Sequence, residues 1–173
     1  MEALPIITNI SIQRIRDILE EVTDPEIPVL TITDLGIVKD ISVLPGKGAV
    51  SEIIQIIITP TYSGCPAMDM ISMNIKLALA EHGYMNVKII SRLSPAWTTD
   101  WMSEAGKKKL QAYGIAPPKG NAIDEKMLTD HMIACPQCGS KNTKLVSSFG
   151  STACKALFRC NECGEPFDYF KCY

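Results

Sequence analysis

Apolar side chains recur at three- and four-residue spacing from Ile12 through Ile15, Ile18 and Leu19 to Val22. That period gathers them on one face of a surface helix. The pattern stops at "TDPEIP", where two prolines forbid helical continuation. A strand is predicted over 36–43, then the turn "PGKG", then a second strand over 50–59, a short connection that favours a β-hairpin. An amphipathic pattern starting near Cys65, "AMDMISMNIKLALAEHG", predicts a second helix with Gly83 at its C-terminal end. A third strand is predicted over 86–91 and a third helix over 99–113, closed by Gly114. The order α, β, β, α, β, α describes a small α+β domain with helices against a short mixed sheet.

The period then lapses. Residues 115–130, "IAPPKGNAIDEKMLTD", carry adjacent prolines and read as a linker. Residues 131–173 form a cysteine-dense module too small to build much core of its own. The predicted division is therefore a domain over 1–114, a linker over 115–130 and a small module over 131–173.

Composition narrows the class. With 173 residues, 46% hydrophobic and 21% charged, the chain has the balance of a soluble globular protein. No apolar run approaches the roughly eighteen residues of a membrane span. The N-terminal stretch has an acid at position 2 and no basic region ahead of an apolar core, so no secretory signal is read and a cytoplasmic protein is expected. Residues 1–130 hold 12 Lys and Arg against 16 Asp and Glu, and residues 131–173 hold 5 against 3. Neither balance is the basic footprint of a nucleic-acid binder. Seven cysteines in a reducing compartment point to metal or thiol chemistry rather than disulfides.

Four of them are arranged for a metal. "CPQCGS" and "CNECG" are two C-x-x-C knuckles, Cys135 with Cys138 and Cys160 with Cys163, separated by 21 residues. Two such turns supply four thiolates in the closed tetrahedron of structural zinc, and a glycine after each knuckle lets the backbone bend back. An iron-sulfur cluster on the same four is the rival reading. Cys154 and Cys172 are expected to be packed, inert thiols beside that site, with a labile pair for iron or redox work as the alternative. His131 reads as a linker residue and His82 as a helix-end residue.

Cys65 stands at a different junction. If Pro66 is the first helical residue, Cys65 is the N-cap, facing free amides and the positive end of the helix dipole, which lowers a thiol pKa. Asp69 opposes this if its side chain turns inward. A small residue in a tight turn, a reactive thiol and a metal ligand all remain open. Thr59, Thr61, Tyr62 and Ser63 crowd hydroxyls around it. Met68, Met70 and Met73 are read as adaptable core filler. Asp24, Glu26 and Asp34 lie in the proline-stiffened stretch "DPEIPVLTITDLG". They read either as turn and cap residues or as an acidic rim near Cys65, suited to transient handling of a metal or to holding a partner.

"DPEIPVLTITDLGIVKDI" together with "TPTYSGCPAM" resembles the MIP18 family, also called DUF59 or SufT-like, whose members assist iron-sulfur protein maturation. "SPAWTTDWMSEAGKKKLQAYGIAPP" and "CKALFRCNECGEPFDYFKC" narrow the resemblance to its PaaD branch, associated with the bacterial phenylacetyl-CoA epoxidase. The resemblance implies a MIP18-like α+β domain followed by a zinc-ribbon-like β module. It implies Cys65 as the characteristic cysteine, a transient ligand or reactive thiol, and Asp24, Glu26 and Asp34 as the acidic signature; with Thr61, one of the hydroxyls near Cys65, these are expected around the cargo. It further implies structural zinc on the four knuckle cysteines and transient iron or an iron-sulfur cluster as cargo. The expected partners are the reductase or oxygenase subunits of the epoxidase and iron-sulfur assembly proteins, with room for a homodimer and with neither nucleic acid nor membrane. No independent catalytic activity is expected. An accessory maturation factor for phenylacetate degradation, acting on the epoxidase reductase, is the leading reading, and a non-catalytic scaffold subunit the second. The chain has no Glu-x-x-His pair for a di-iron oxygenase and no glycine-rich dinucleotide fingerprint.

Overall fold

The computed structural model describes residues 10–46, 52–118 and 133–171. Helix α1 covers Ile12–Leu19, capped by Ser11, whose hydroxyl accepts from the Arg14 amide. Ile15, Ile18 and Leu19 are fully buried. Eight residues are too few for a helix to stand alone in water. Burial of these side chains, at about 1.5–3 kcal/mol each, is what holds it. Strands β1 (Val38–Pro45) and β2 (Glu52–Ile58) pair antiparallel, so the expected hairpin forms. The second half of its "PGKG" turn lies outside the described residues. Helix α2 (Ala67–Glu81) then carries the chain over to β3 (Val87–Ser91), which pairs parallel with β2. The sheet is mixed, in the order β1-β2-β3. Ile54, Ile56 and Ile58 of β2 share one core with α1 and with Ile71, Ile75 and Leu79 of α2.

Two sequence expectations change here. The third helix does not run from Thr99. A single 3-10 turn at Thr99–Trp101 ends at Met102, which is extended and buried, and α3 proper is Glu104–Tyr113. Ser103 is the cause: its hydroxyl caps the Gly106 amide at 2.8 Å and its own amide bonds the Asp34 carbonyl. The closure at Gly114 is as expected, with φ 91°. Met70 and Met73, read as core filler, are 52% and 59% exposed and line up with exposed Leu77 on the outer face of α2. The helix buries its Ala67, Ile71, Ile75, Leu79 face instead, one step round from the methionines.

A second sheet follows, antiparallel in the order β4-β5-β6, from Thr143–Ser147, Lys155–Cys160 and Pro166–Phe170. Its own small core gathers Phe158, Phe167 and Tyr169 around Cys135 and Cys160. The fold is thus a small α+β domain followed by a zinc-ribbon-like β module.

The first residues assigned to the linker are ordered structure. Ile115 and Ala116 are buried, and Ala116 bridges parallel to Tyr169, donating to the Asp168 carbonyl and accepting from the Phe170 amide. Residues 119–130 lie outside the described residues. Phe170 and Cys154 of the second module are buried in the core of the first domain, where Phe170 meets Trp97 edge-to-face at 6.0 Å. A Phe170→Ala variant is expected to cost about 3–5 kcal/mol. Calorimetry should therefore find Tm lower by about 6 °C or more.

Candidate functional site

The loop after α1 is folded by its own carboxylate. Asp24 Oδ1 accepts from the Glu26 and Ile27 amides, both at 2.8 Å, and the loop is closed by the Thr23–Thr31 bridge and the Asp24 amide on the Leu30 carbonyl. Ile27 and Leu30 anchor it in the core. Asp24 is buried, and burial raises its pKa against the two amides and Lys155, which act the other way. Its structural work is to present Glu26, which is partly exposed.

Cys65 lies just ahead of α2 and feels the carboxylates of this loop. Pro66 has helical dihedrals, but the helical ladder itself begins at Ala67, one residue later than expected. The N-cap is therefore Pro66 and not Cys65, which sits one residue outside the helix: its carbonyl accepts from the Met68 amide at 3.3 Å, and its sulfur receives the Ala67 amide and the Tyr62 hydroxyl. These donors favour a thiolate. Desolvation outweighs them, and Glu26 and Asp24 add to it, so the Cys65 pKa is raised rather than lowered. Asp69, the acid suspected from the sequence, is exposed and does not figure among these influences. Burial likewise raises the Tyr62 phenol, with Cys65, Glu26 and Cys154 all contributing. Thr61 is buried beside it.

Such a thiol stays protonated near neutral pH, which suits a ligand more than a free nucleophile. A cation would offset both the desolvation and the two carboxylates, and so would displace the thiol proton where bulk pH alone does not.

Asp34 is not drawn into this group. Its carboxylate accepts from Ser103 Oγ (2.8 Å), Lys109 Nζ (2.6 Å) and the Thr31 amide (3.2 Å), tying the loop to α3. Burial pushes its pKa up, but these donors prevail and hold it below the usual carboxylate value. A depressed pKa means stability that is present above the unfolded-state value near 3.8 and lost as pH falls through the folded one. Asp34→Ala is expected to cost about 1–3 kcal/mol at neutral pH. Urea unfolding should show that difference shrinking below about pH 4.

Cys154 stands apart from the place expected for it. It directly precedes β5, six residues before Cys160, and an extended chain puts about 20 Å between them. It is buried not beside the knuckles but in the first domain's core, with its sulfur 3.8 Å from Glu26 Oε2 and 3.0 Å from Thr152 Oγ1. Nothing in its local spacing reveals this, because the contact spans 128 residues. Cys172 and His131 lie outside the described residues. His82 does cap its helix end, with its ring nitrogen 2.9 Å from the Ala78 carbonyl.

The knuckles meet. The four sulfurs of Cys135, Cys138, Cys160 and Cys163 lie within 4.8 Å of one another, with Cys135–Cys163 at 3.7 Å and Cys138–Cys160 at 3.5 Å. A zinc tetrahedron with bonds of about 2.3 Å requires sulfur spacings of about 3.8 Å, so the donor set fits that ion. Gly139 and Gly164, at φ 75° and 80°, turn each knuckle back, and their amides bond the Cys135 and Cys160 carbonyls. Cys135 and Cys160 are buried while Cys138 and Cys163 are exposed. A closed set of four thiolates leaves no open position and supplies architecture.

Two family models match separate parts of the chain. Residues 12–89 match the family described as iron-sulfur cluster assembly protein, and residues 120–171 match the PaaD zinc beta ribbon domain. Over 172 residues, 99% of both chains, the sequence is 46% identical to a protein of Escherichia coli K12 named as a putative subunit of 1,2-phenylacetyl-CoA epoxidase. The chain belongs to the PaaD family. Within this PaaD-family chain the first domain also resembles solved structures. A DUF59 domain from Bacillus anthracis is 26% identical with a TM-score of 0.50, covering 57% of this chain and 89% of that one. A conserved hypothetical protein of Thermotoga maritima is 25% identical with a TM-score of 0.48, covering 59% and 95%. No described helix is long and apolar enough to cross a membrane.

Proposed function

We propose that this protein is an accessory factor that holds iron, or an iron-sulfur cluster, in passing on its way into the phenylacetyl-CoA epoxidase system, with the epoxidase reductase as client. The observation that carries the reading is the Cys65 thiol just ahead of α2, kept protonated by burial, with the charges of Glu26 and Asp24 in the loop after α1 acting the same way. A ligand that surrenders its proton only to a cation binds when metal arrives and reprotonates when it leaves. One half-exposed sulfur and a carboxylate are too few donors for permanent storage. The four-cysteine ribbon is the resident site and the Cys65 loop the transit site. The match of residues 12–89 to iron-sulfur assembly proteins, and the name of the Escherichia coli relative, support this choice of cargo and system.

The test is cluster occupancy of the reductase, purified anaerobically from cells with and without this protein. Reductase lacking its cluster only in the deletion strain supports the reading, and full occupancy in both strains overturns it. A scaffold role has one observation in its favour, the exposed Met70, Met73 and Leu77 stripe on α2, an apolar face able to bind another protein of the complex. Stoichiometric copurification with active epoxidase, together with full cluster loading in the deletion strain, would decide for it.

A further inference from the structure

The ribbon touches the acidic loop from one end of its sheet. Lys155 of β5 pairs with Phe170 of β6, and the Lys171 amide donates to the Cys154 carbonyl at 2.9 Å, so Cys154 and Phe170 are held together at that end. Phe170 packs on Trp97, whose indole N–H donates to the Leu35 carbonyl at 2.8 Å near the end of the loop. Cys154 reaches the loop's start. Its thiol donates to Glu26 Oε2 across 3.8 Å, with the Thr152 hydroxyl 3.0 Å from the same sulfur. Burial pushes the Cys154 thiol up to about 11, so it keeps the proton it donates. Of the three acids in the loop, Asp24 and Asp34 are buried, with their carboxylates engaged by main-chain amides, Ser103 and Lys109. Glu26 is the one that solvent reaches. Asp24 fixes only the Glu26 main chain, and among the described residues the hydrogen bond to the Glu26 carboxylate comes from Cys154.

We propose that Cys154 is a positioning residue for Glu26, so that the ribbon rather than the first domain sets where the loop's one accessible carboxylate points. A glutamate has three side-chain torsions, and one bond at its tip is enough to select among their staggered states. The S–H group is a weak donor, suited to aiming a side chain rather than to holding a fold. Its end of the sheet is also where Phe170 enters the first domain's core, so the donor stands on a rigid support. What the aimed carboxylate does for a cargo rests on the function proposed above, whereas the aiming itself does not.

The experiment is nuclear magnetic resonance on the full chain with its ribbon zinc in place and no cargo added. Three-bond couplings across the Glu26 Cα–Cβ bond should show one rotamer in the unaltered chain, and rotamer-averaged values there overturn the proposal without any variant. In Cys154→Ala the couplings should fall to the averaged values, while the Glu26 and Ile27 amides, held by Asp24, exchange within about twofold of the parent rate. Cys154→Ser keeps a donor and should restore the single rotamer. Couplings unchanged in the alanine variant, or averaging that persists in the serine variant, overturn the proposal. So does amide exchange that quickens beyond that limit along with the averaging, because Cys154 would then be holding the loop rather than aiming a side chain. Cluster delivery enters none of these measurements, so the proposed function stands or falls separately.

Discussion

Cys65→Ser is expected to abolish cluster loading of the client, down to the level of a strain lacking the protein, while leaving the fold and the ribbon metal untouched. The two halves of that expectation have separate causes. Serine is close in size to cysteine, and its oxygen can take over the Ala67 amide that the Cys65 sulfur now receives. Cys65 is half-buried, so its replacement opens no sealed cavity, and stability should stay within about 0.5 kcal/mol of the parent. The metal half fails for a different reason. A serine hydroxyl keeps its proton under conditions where a cation can take one from a thiol, so the site loses its soft donor. Because the Cys65 pKa is raised, metal uptake should strengthen with rising pH as the thiol proton becomes easier to displace. That pH dependence should vanish in the serine variant. Unchanged cluster occupancy in Cys65→Ser, with the protein folded and its ribbon metal content unchanged, would remove Cys65 from the mechanism.

How much of this was legible in the sequence depends on distance along the chain. Helix α1, the hairpin, α2 and β3 are written in local periodicity, and the knuckles in local spacing, so each was readable. The break at Met102 was not, because apolar spacing through Trp101, Met102 and Leu110 resembles a helix. A capping serine wins only once Asp34, 69 residues earlier, is there to meet it. The exposure of Met70 and Met73 also escaped. Hydrophobicity cannot tell which of two apolar stripes on α2 the sheet will cover. At the site, a helix start close to Cys65 was visible, though it falls at Ala67, and the direction of the Cys65 pKa was not. That depends on how deeply the thiol is buried and on a loop some forty residues earlier. Cys154 was the least legible, since everything that distinguishes it belongs to the docking of two modules. For the same reason Asp24 and Asp34, alike in sequence as acids in one loop, part company. One folds the loop around its own amides and the other bonds α3.

That docking makes removal of the ribbon metal the second large expected effect. Cys163→Ala is the sharper tool than a chelator alone, because Cys163 is exposed, so the substitution removes a ligand without opening a buried cavity. A structural zinc contributes about 10–16 kcal/mol to such a module, far more than the small core around Phe158 and Tyr169 can replace. The ribbon should therefore lose its sheet in the variant. The damage should also cross into the first domain, since Phe170 and Cys154 are part of that domain's core and the Ala116 pairing ties its exit to β6. Trp97 would lose the ring it meets edge-to-face, and its fluorescence should shift to the red. Amide exchange should quicken at Ala116, Phe170 and Lys171, while α1, α2 and the first sheet keep most of their protection, because the isoleucines that bind them are unaffected. A metal-free chain that retains full protection at Ala116 and Phe170 would show that the module folds without its ion.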